Sequence, residues 1–282
     1  TIELTDDVRA AVQGADVSEP VVWPAELGKP DAICHFASPA SPVDFVPLAV
    51  QIMRVNAEGT RHLLEQARSV GCRFLLASTS EVYGDPEVHP QVEEYAGHVN
   101  CNGARAVYDE SKRYAEAMVC AFRRLHKTDA KIVRIFNTYG PRMRPDDGRV
   151  LPAFISAALR NEPLPVQGDG SQTRSFCYVD DLVEGIYRLL VSEHAGPINI
   201  GNPDEVSMRQ LAEEVIAATG SRSTIKFTPL PADDPKRRCP DISKARSLLG
   251  WSPTVSRVEG LKRTIEYFRS LKRHPEPAGK RR

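Results

Sequence analysis

The chain has no surplus charge of either sign: 37 basic residues face 37 acidic ones over 282 positions. A balanced surface gives neither nucleic acid nor an anionic membrane a field to follow, so neither is expected as a partner. No apolar run reaches the ~20 residues that a membrane-spanning helix needs, and the opening "TIELTDDVRA" has no hydrophobic signal segment. The six cysteines include no C-x-x-C pair, which removes the usual zinc and redox frameworks, and no metal site is expected. Scattered singly through a long chain, these thiols read as buried and free. With no N-x-Ser/Thr acceptor in the sequence either, a cytoplasmic location is expected. Repeats and low-complexity blocks are missing. So is any G-x-G-x-x-G or G-x-x-G-x-x-G stretch in the first hundred residues, the turn with which a dinucleotide-binding fold normally meets a pyrophosphate.

What is present is alternation. "AICHFAS" (32–38), "CRFLLAS" (72–78) and "KIVRIF" (131–136) are short apolar runs that read as strands. Between them lie helix-period segments: 55–71, ended by Gly71 as a C-terminal cap, and 108–127, with Ala115, Met118, Val119 and Phe122 at helical spacing. Strands alternating with helices predict an α/β fold, a doubly wound parallel sheet with right-handed crossovers. After about residue 150 the pattern shifts to helices near 151–160, 180–192, 207–219, 241–249 and 257–271, with a short strand at "LPVQG". The expected division is an α/β domain over 1–150, a smaller C-terminal lobe over 151–271 interleaved with it, and a solvated tail over 272–282.

Two stretches carry chemistry. "ASTSEVYGD" (77–85) ends an apolar strand in three hydroxyls, Ser78, Thr79 and Ser80, and a carboxylate, Glu81. The carboxyl ends of strands are where open α/β sheets bind ligands. "YDESK" sets Tyr108 and Lys112 four residues apart, on one helix face. A tyrosine is a poor base at neutral pH, and a close ammonium is expected to stabilise its phenolate and lower its pKa. Such a pair can take a proton from a sugar hydroxyl while hydride leaves the same carbon. Alone, the spacing also fits a solvated helix pair.

Taken together, "HFASPASPVDF", "STSEVYGDPEVHPQ", "GHVN", "YDESKRYAE", "RIFNTYGPRM", "DGRV", "GDGSQTRSFCYVDDLVEG", "NIGNP" and "DDPKRRCPDISKA" followed by "LLGWSP" stand in one order. In that order they resemble the extended short-chain dehydrogenase/reductases, and within them the UDP-glucuronate decarboxylase group. The resemblance covers about residues 14 to 271. It implies NAD as cofactor, a UDP-sugar as substrate, and a Rossmann-like fold in which 1–150 is an incomplete NAD-binding domain and 151–271 mainly the substrate-binding lobe. By resemblance Thr79 binds the substrate's C4 oxygen beside Tyr108, Lys112 supports Tyr108, and Glu81 is the acid near C5 or its water. In the related 4,6-dehydratases an Asp-Glu pair expels water. Here Ser80 replaces the Asp, which favours decarboxylation, where a C4 ketone β to the carboxylate does the work.

The resemblance also implies cofactor contacts at Asp16, Val17, Phe36, Ser38, Thr138 and Arg149, besides Tyr108 and Lys112. Arg149 and Arg238 would face the sugar and diphosphate, and Arg174 and Asn137 the phosphates. Arg54 and Asn56 would lie near the sugar carboxylate. Gln167 departs from the family, which usually has tyrosine there. About 45 to 50 residues of the family's first βαβ unit have no counterpart in this sequence, so the sheet is expected to have an uncovered edge and the chain to hold NAD weakly. A homodimer through helices matching 55–70 and 108–125 is the family habit. Two alternatives stay open: a non-catalytic nucleotide-sugar-binding or dimer-partner protein that has lost NAD, and a nucleotide-sugar 4-epimerase.

Overall fold

The structure, a computed structural model, describes residues 15–20, 23, 28–229 and 237–273. Its main sheet has four parallel strands in the order β1 (Ala32–His35), β2 (Arg73–Thr79), β3 (Ala130–Ile135) and β8 (Ile198–Ile200). Between β1 and β2 runs a helical stretch in three parts: α1 (Ala49–Arg54), a π turn (Val55–Gly59) and α2 (Thr60–Val70). Gly71 ends it at φ +64°, the left-handed cap that only glycine adopts without strain. Helix α3 (Ala106–His126) joins β2 to β3. The sequence reading had these elements to within a few residues, except that the first helix starts earlier and carries the π turn. This is an α/β, doubly wound, Rossmann-like fold.

Alternation along the strands covers both faces. Phe74, Leu76 and Ile132 point to the face covered by α2 and α3, where they meet Leu64, Ala67, Ala115 and Val119. Leu75 and Val133, their neighbours in sequence, point the other way. There they meet Leu182, Ile186 and Leu189 of α5 (Val179–Val191), and Ala245 of α7 (Ser243–Leu249) and Trp251 beyond it. A period of two on a fully buried strand makes this two-sided core. Helices from the later chain thus complete the second face of the first sheet.

A further core gathers around α4 (Val150–Leu159), α6 (Met208–Thr219) and α8 (Arg257–Arg273), with Phe154, Leu211 and Ile265 among its buried members. Small sheets flank it: β4 (Thr138–Tyr139) pairs with β7 (Cys177–Tyr178), and β5 (Leu164–Gln167) with β10 (Ile225–Thr228). In the third, β6 (Thr173–Ser175) lies between β9 (Glu205–Ser207) and β11 (Arg237–Arg238). That pairing places Arg238 beside Arg174. The tail expected to be solvated lies, from residue 274 on, outside the described residues.

The thiol expectation needs correcting. Cys72, Cys177 and Cys239 are buried, but Cys34 and Cys101 are exposed. Cys34 lies on β1, which among the described residues has a strand on one side only. Among the described residues no helix is long and apolar enough to cross a membrane, and no cluster of His, Cys, Asp and Glu could hold a metal ion.

Candidate active site

The site forms where β2 ends. Thr79 closes the strand, and its hydroxyl accepts the Glu81 backbone N–H at 3.2 Å, starting a tight turn over Ser80–Tyr83. Gly84 follows at φ +64°, with the His98 carbonyl packed where a side chain would stand. This turn directs Glu81 out of the sheet and into a ring of guanidiniums. The three hydroxyls part company. Ser78 donates to Glu116 Oε1 at 2.5 Å, joining a buried network in which Arg134 grips both Glu116 oxygens. That network ties α3 to the sheet. Thr79 stays with the site, and Ser80 is buried beside it.

Helix α3 supplies the tyrosine and lysine from its first turns. Both are buried, as their shared face requires. Lys112 Nζ donates to the Ala77 carbonyl at 2.9 Å and lies 5.8 Å from the Tyr108 ring centre. Phe45 stacks on Tyr108 at 5.1 Å between ring centres. It is held there because Ser41, just before it, donates to the Asp147 carbonyl, bringing the "SPVDF" and "DGRV" segments together.

The electrostatics revise the expectation for this pair. Burial, with the nearby Glu81 charge, pushes the Tyr108 phenol up to about 12; the Thr79 hydroxyl and Arg149 pull only weakly the other way. Burial in turn depresses the Lys112 ammonium to about 8, against the support of Glu116. The lysine therefore does not yield a lowered tyrosine pKa. Desolvation of a buried phenolate outweighs an ammonium that is itself desolvated.

Glu81 is the electrostatic centre. Its two oxygens each accept from Arg238 at 2.7 Å, and Oε2 also accepts from Arg105 at 2.6 Å. Burial disfavours the carboxylate, yet Arg238 and Arg105, with Arg174 behind them, outweigh it and hold Glu81 below the usual carboxylate range. Arg105 lies over the Phe45 ring, 5.6 Å from its centre, and forms an ion pair with Asp109 at 3.9 Å. Asp109 is buried, and its Oδ1 has no hydrogen-bond partner in the structure. Burial and the Glu81 charge push its carboxyl up to about 7, against Arg105 and Arg238.

Other expected residues fall in three groups. Arg174 and Arg238 converge on Glu81, and Arg149 acts on Tyr108. Asn137 and Thr138 lie just beyond β3, Asn137 reaching the Ser175 carbonyl and Thr138 the Phe136 carbonyl. Asp16, Val17 and Ser38 line an open pocket of about 430 Å³ together with Ala15, Ala37, Pro39 and Val55. It lies just past the carboxyl end of β1, with Phe36 half exposed nearby. Arg54 and Asn56 are not brought into the cluster. Arg54 bridges Glu19 and Glu58 on the surface. Asn56 is fully buried in the π turn and donates to Ser111, which donates to the Tyr108 carbonyl.

Sequence reasoning did not single out Arg105, Asp109 or Phe45. The first two flank Tyr108 at −3 and +1 and lie within or beside a quoted stretch, but one arginine among 27 has no mark of its own.

Comparison with known proteins places this geometry. Residues 5–201 match the family "NAD dependent epimerase/dehydratase". The chain is 51% identical over 254 residues to UDP-glucuronic acid decarboxylase 2 of Arabidopsis thaliana, covering 90% of this chain and 56% of that protein. It is 51% identical over 238 residues to UDP-glucuronic acid decarboxylase 1 of Danio rerio, covering 84% and 57%. The chain thus spans a little over half the length of these curated relatives. Among solved structures it superposes on a dTDP-glucose 4,6-dehydratase from Streptomyces venezuelae determined with NAD bound. The TM-score is 0.83 and the identity 29%, covering 93% of this chain and 80% of that one.

Proposed function

Because the chain belongs to the NAD-dependent epimerase/dehydratase family, we propose that it converts UDP-glucuronate to UDP-xylose by oxidation at C4, loss of CO2 and return of the hydride. The observation that carries this reading is the single carboxylate at the end of β2. Glu81 is held anionic by Arg238 and Arg105, with Ser80 beside it. Expulsion of water from a sugar needs a second acid at this place, and a serine hydroxyl cannot supply it. Loss of CO2 needs only a ketone next to the carboxylate-bearing carbon. The relatives named as UDP-glucuronic acid decarboxylases support the same choice.

The described residues fit the two ends of an NAD molecule. The open pocket past β1 offers Asp16, Val17 and Ser38 to an adenosine. Tyr108 and Lys112, buried side by side at the neighbouring strand end, suit the nicotinamide riboside. Phe36, Thr138 and Arg149 would complete the cofactor contacts. Bound NAD would supply the acceptor for the C4 hydride and return it. Tyr108 would take the C4 hydroxyl proton, with Thr79 orienting that oxygen and Lys112 supplying positive charge. Arg174 and Asn137 would hold the diphosphate. Arg149 and the Glu81–Arg238 pair would border the sugar.

With saturating NAD and UDP-glucuronate, the protein should release CO2 and form UDP-xylose, followed by proton NMR of the sugar. Formation of the 4-epimeric uronate without CO2 would replace this reading by an epimerase.

We also propose a homodimer. Val50 and Met53 on α1, Val46 before it and Tyr114 on α3 are exposed apolar side chains on helices that pack together. Scattered apolar residues are ordinary on a surface, but a patch on neighbouring helices suits association. Light scattering should give twice the chain mass, and Val50→Asp with Met53→Asp should halve it. An unchanged mass in the double variant would place the interface elsewhere.

A further inference from the structure

Replacing a carboxylate by hydrogen consumes one proton in each turnover. The C5–C6 bond breaks, CO2 leaves neutral, and the electron pair enters the C4 ketone as an enolate. That pair then forms the new C5–H bond. The site therefore needs a group that holds a proton at neutral pH, and Glu81 does not. Two guanidiniums keep it ionised, and a guanidinium is too weak an acid to donate in its place.

On the decarboxylase reading, we propose that Asp109 is a positioning residue that stores this proton and passes it to C5 through Glu81, with Arg105 bridging the two carboxyls. Arg105 is 2.6 Å from Glu81 and 3.9 Å from Asp109, on the surface of Phe45, which stacks on Tyr108. Asp109 is 4% exposed, and its Oδ1 meets no donor. A buried, unpartnered carboxylate oxygen is costly, and a proton on that carboxyl removes the cost. The charged groups acting on it are Glu81 from the β2 turn, Arg105 at the start of α3, Glu110 on α3, and Arg238 from β11. Burial and Glu81 together place its titration near 7. Two neighbouring carboxyls with their pKa values pushed apart are the pattern of an acid and its partner base.

The transfer balances. An enolate carbon is a far stronger base than either carboxylate, so the proton moves from Asp109 to Glu81 and on to C5 once CO2 has left. Arg105 then lies between two anions and steadies both, until solvent returns a proton to Asp109. Asp109 acts through Glu81 and is not placed against the sugar.

The test is Asp109→Asn, assayed with saturating NAD. Its kcat should fall at least about tenfold, with KM for UDP-glucuronate and UDP affinity held within about twofold. Reduced NAD should build up, since C4 oxidation and CO2 loss outrun protonation. In the wild type kcat should fall as pH rises through about 7. In Asp109→Asn that fall should vanish, leaving a later one near 8 from Lys112, and Asp109→Glu should restore it. The infrared C=O stretch of a protonated carboxyl that titrates near neutral pH should be present in the wild type and absent from the Asn variant. UDP-xylose formation with kcat and pH profile unmoved in Asp109→Asn overturns the role of Asp109 and leaves the decarboxylase reading standing. A wild type that forms no UDP-xylose at any pH overturns that reading first. Should the Asn variant fail to fold, a wild-type kcat flat from about pH 6 to about pH 8 overturns the proposal.

Discussion

Tyr108→Phe should lower kcat by about a hundredfold or more while leaving UDP-glucuronate affinity within about twofold, because general-base effects are of that size. Phenylalanine keeps the ring stacked on Phe45 and removes only the oxygen beside Thr79. The phenol rests protonated at neutral pH, since burial and Glu81 push it to about 12. The kcat effect therefore reports the base in the loaded site, and the unchanged affinity reports that the sugar's other contacts survive. Single-turnover formation of reduced NAD isolates the oxidation step. Retention of more than about a tenth of kcat would mean that another group removes the C4 proton.

Arg238→Ala should be the most destabilising change in the site. Both of its bonds to Glu81 are 2.7 Å long, and the guanidinium is 7% exposed. Removing one partner of a buried ion pair costs about 3 to 5 kcal/mol when the other charge is left alone. Arg105 remains on Glu81, so a loss of about 2 to 4 kcal/mol is expected. The sign with pH is a check. The folded Glu81 pKa is depressed, so its contribution to stability is present above the unfolded value and lost as pH falls through the folded one. The gap between wild type and variant should thus close in acid. Adding Glu81→Gln to Arg238→Ala should return most of the lost stability at neutral pH. By resemblance Arg238 faces the sugar and diphosphate, where it would clamp the diphosphate. With both nitrogens committed to Glu81, UDP affinity should stay within about threefold while kcat falls. A large loss of UDP affinity by calorimetry would restore the clamp.

Much of the framework was legible in the sequence because it is local. A four-residue spacing put Tyr108 and Lys112 on one face of α3, a glycine after a helical pattern ended α2, and short apolar runs became β1, β2 and β3. Helical and strand periods are properties of neighbouring residues, and they survive whatever the rest of the chain does. The strand-end hydroxyls marked the site for the same reason, although Ser78 went to Glu116 and left Thr79 and Glu81 to face it.

What only the tertiary structure decided is which charges meet. Glu81 and Arg238 stand 157 residues apart and share two hydrogen bonds, whereas Arg54, near the site by resemblance, is taken up by Glu19 and Glu58. The same holds for the direction of the pKa shifts. Tyr108 rises, Lys112 falls, and the neighbouring carboxyls Glu81 and Asp109 move apart. Each shift is the balance of desolvation against a few nearby charges. Both depend on how deep a group lies and on which segment crosses over it, quantities that no pattern along the chain contains.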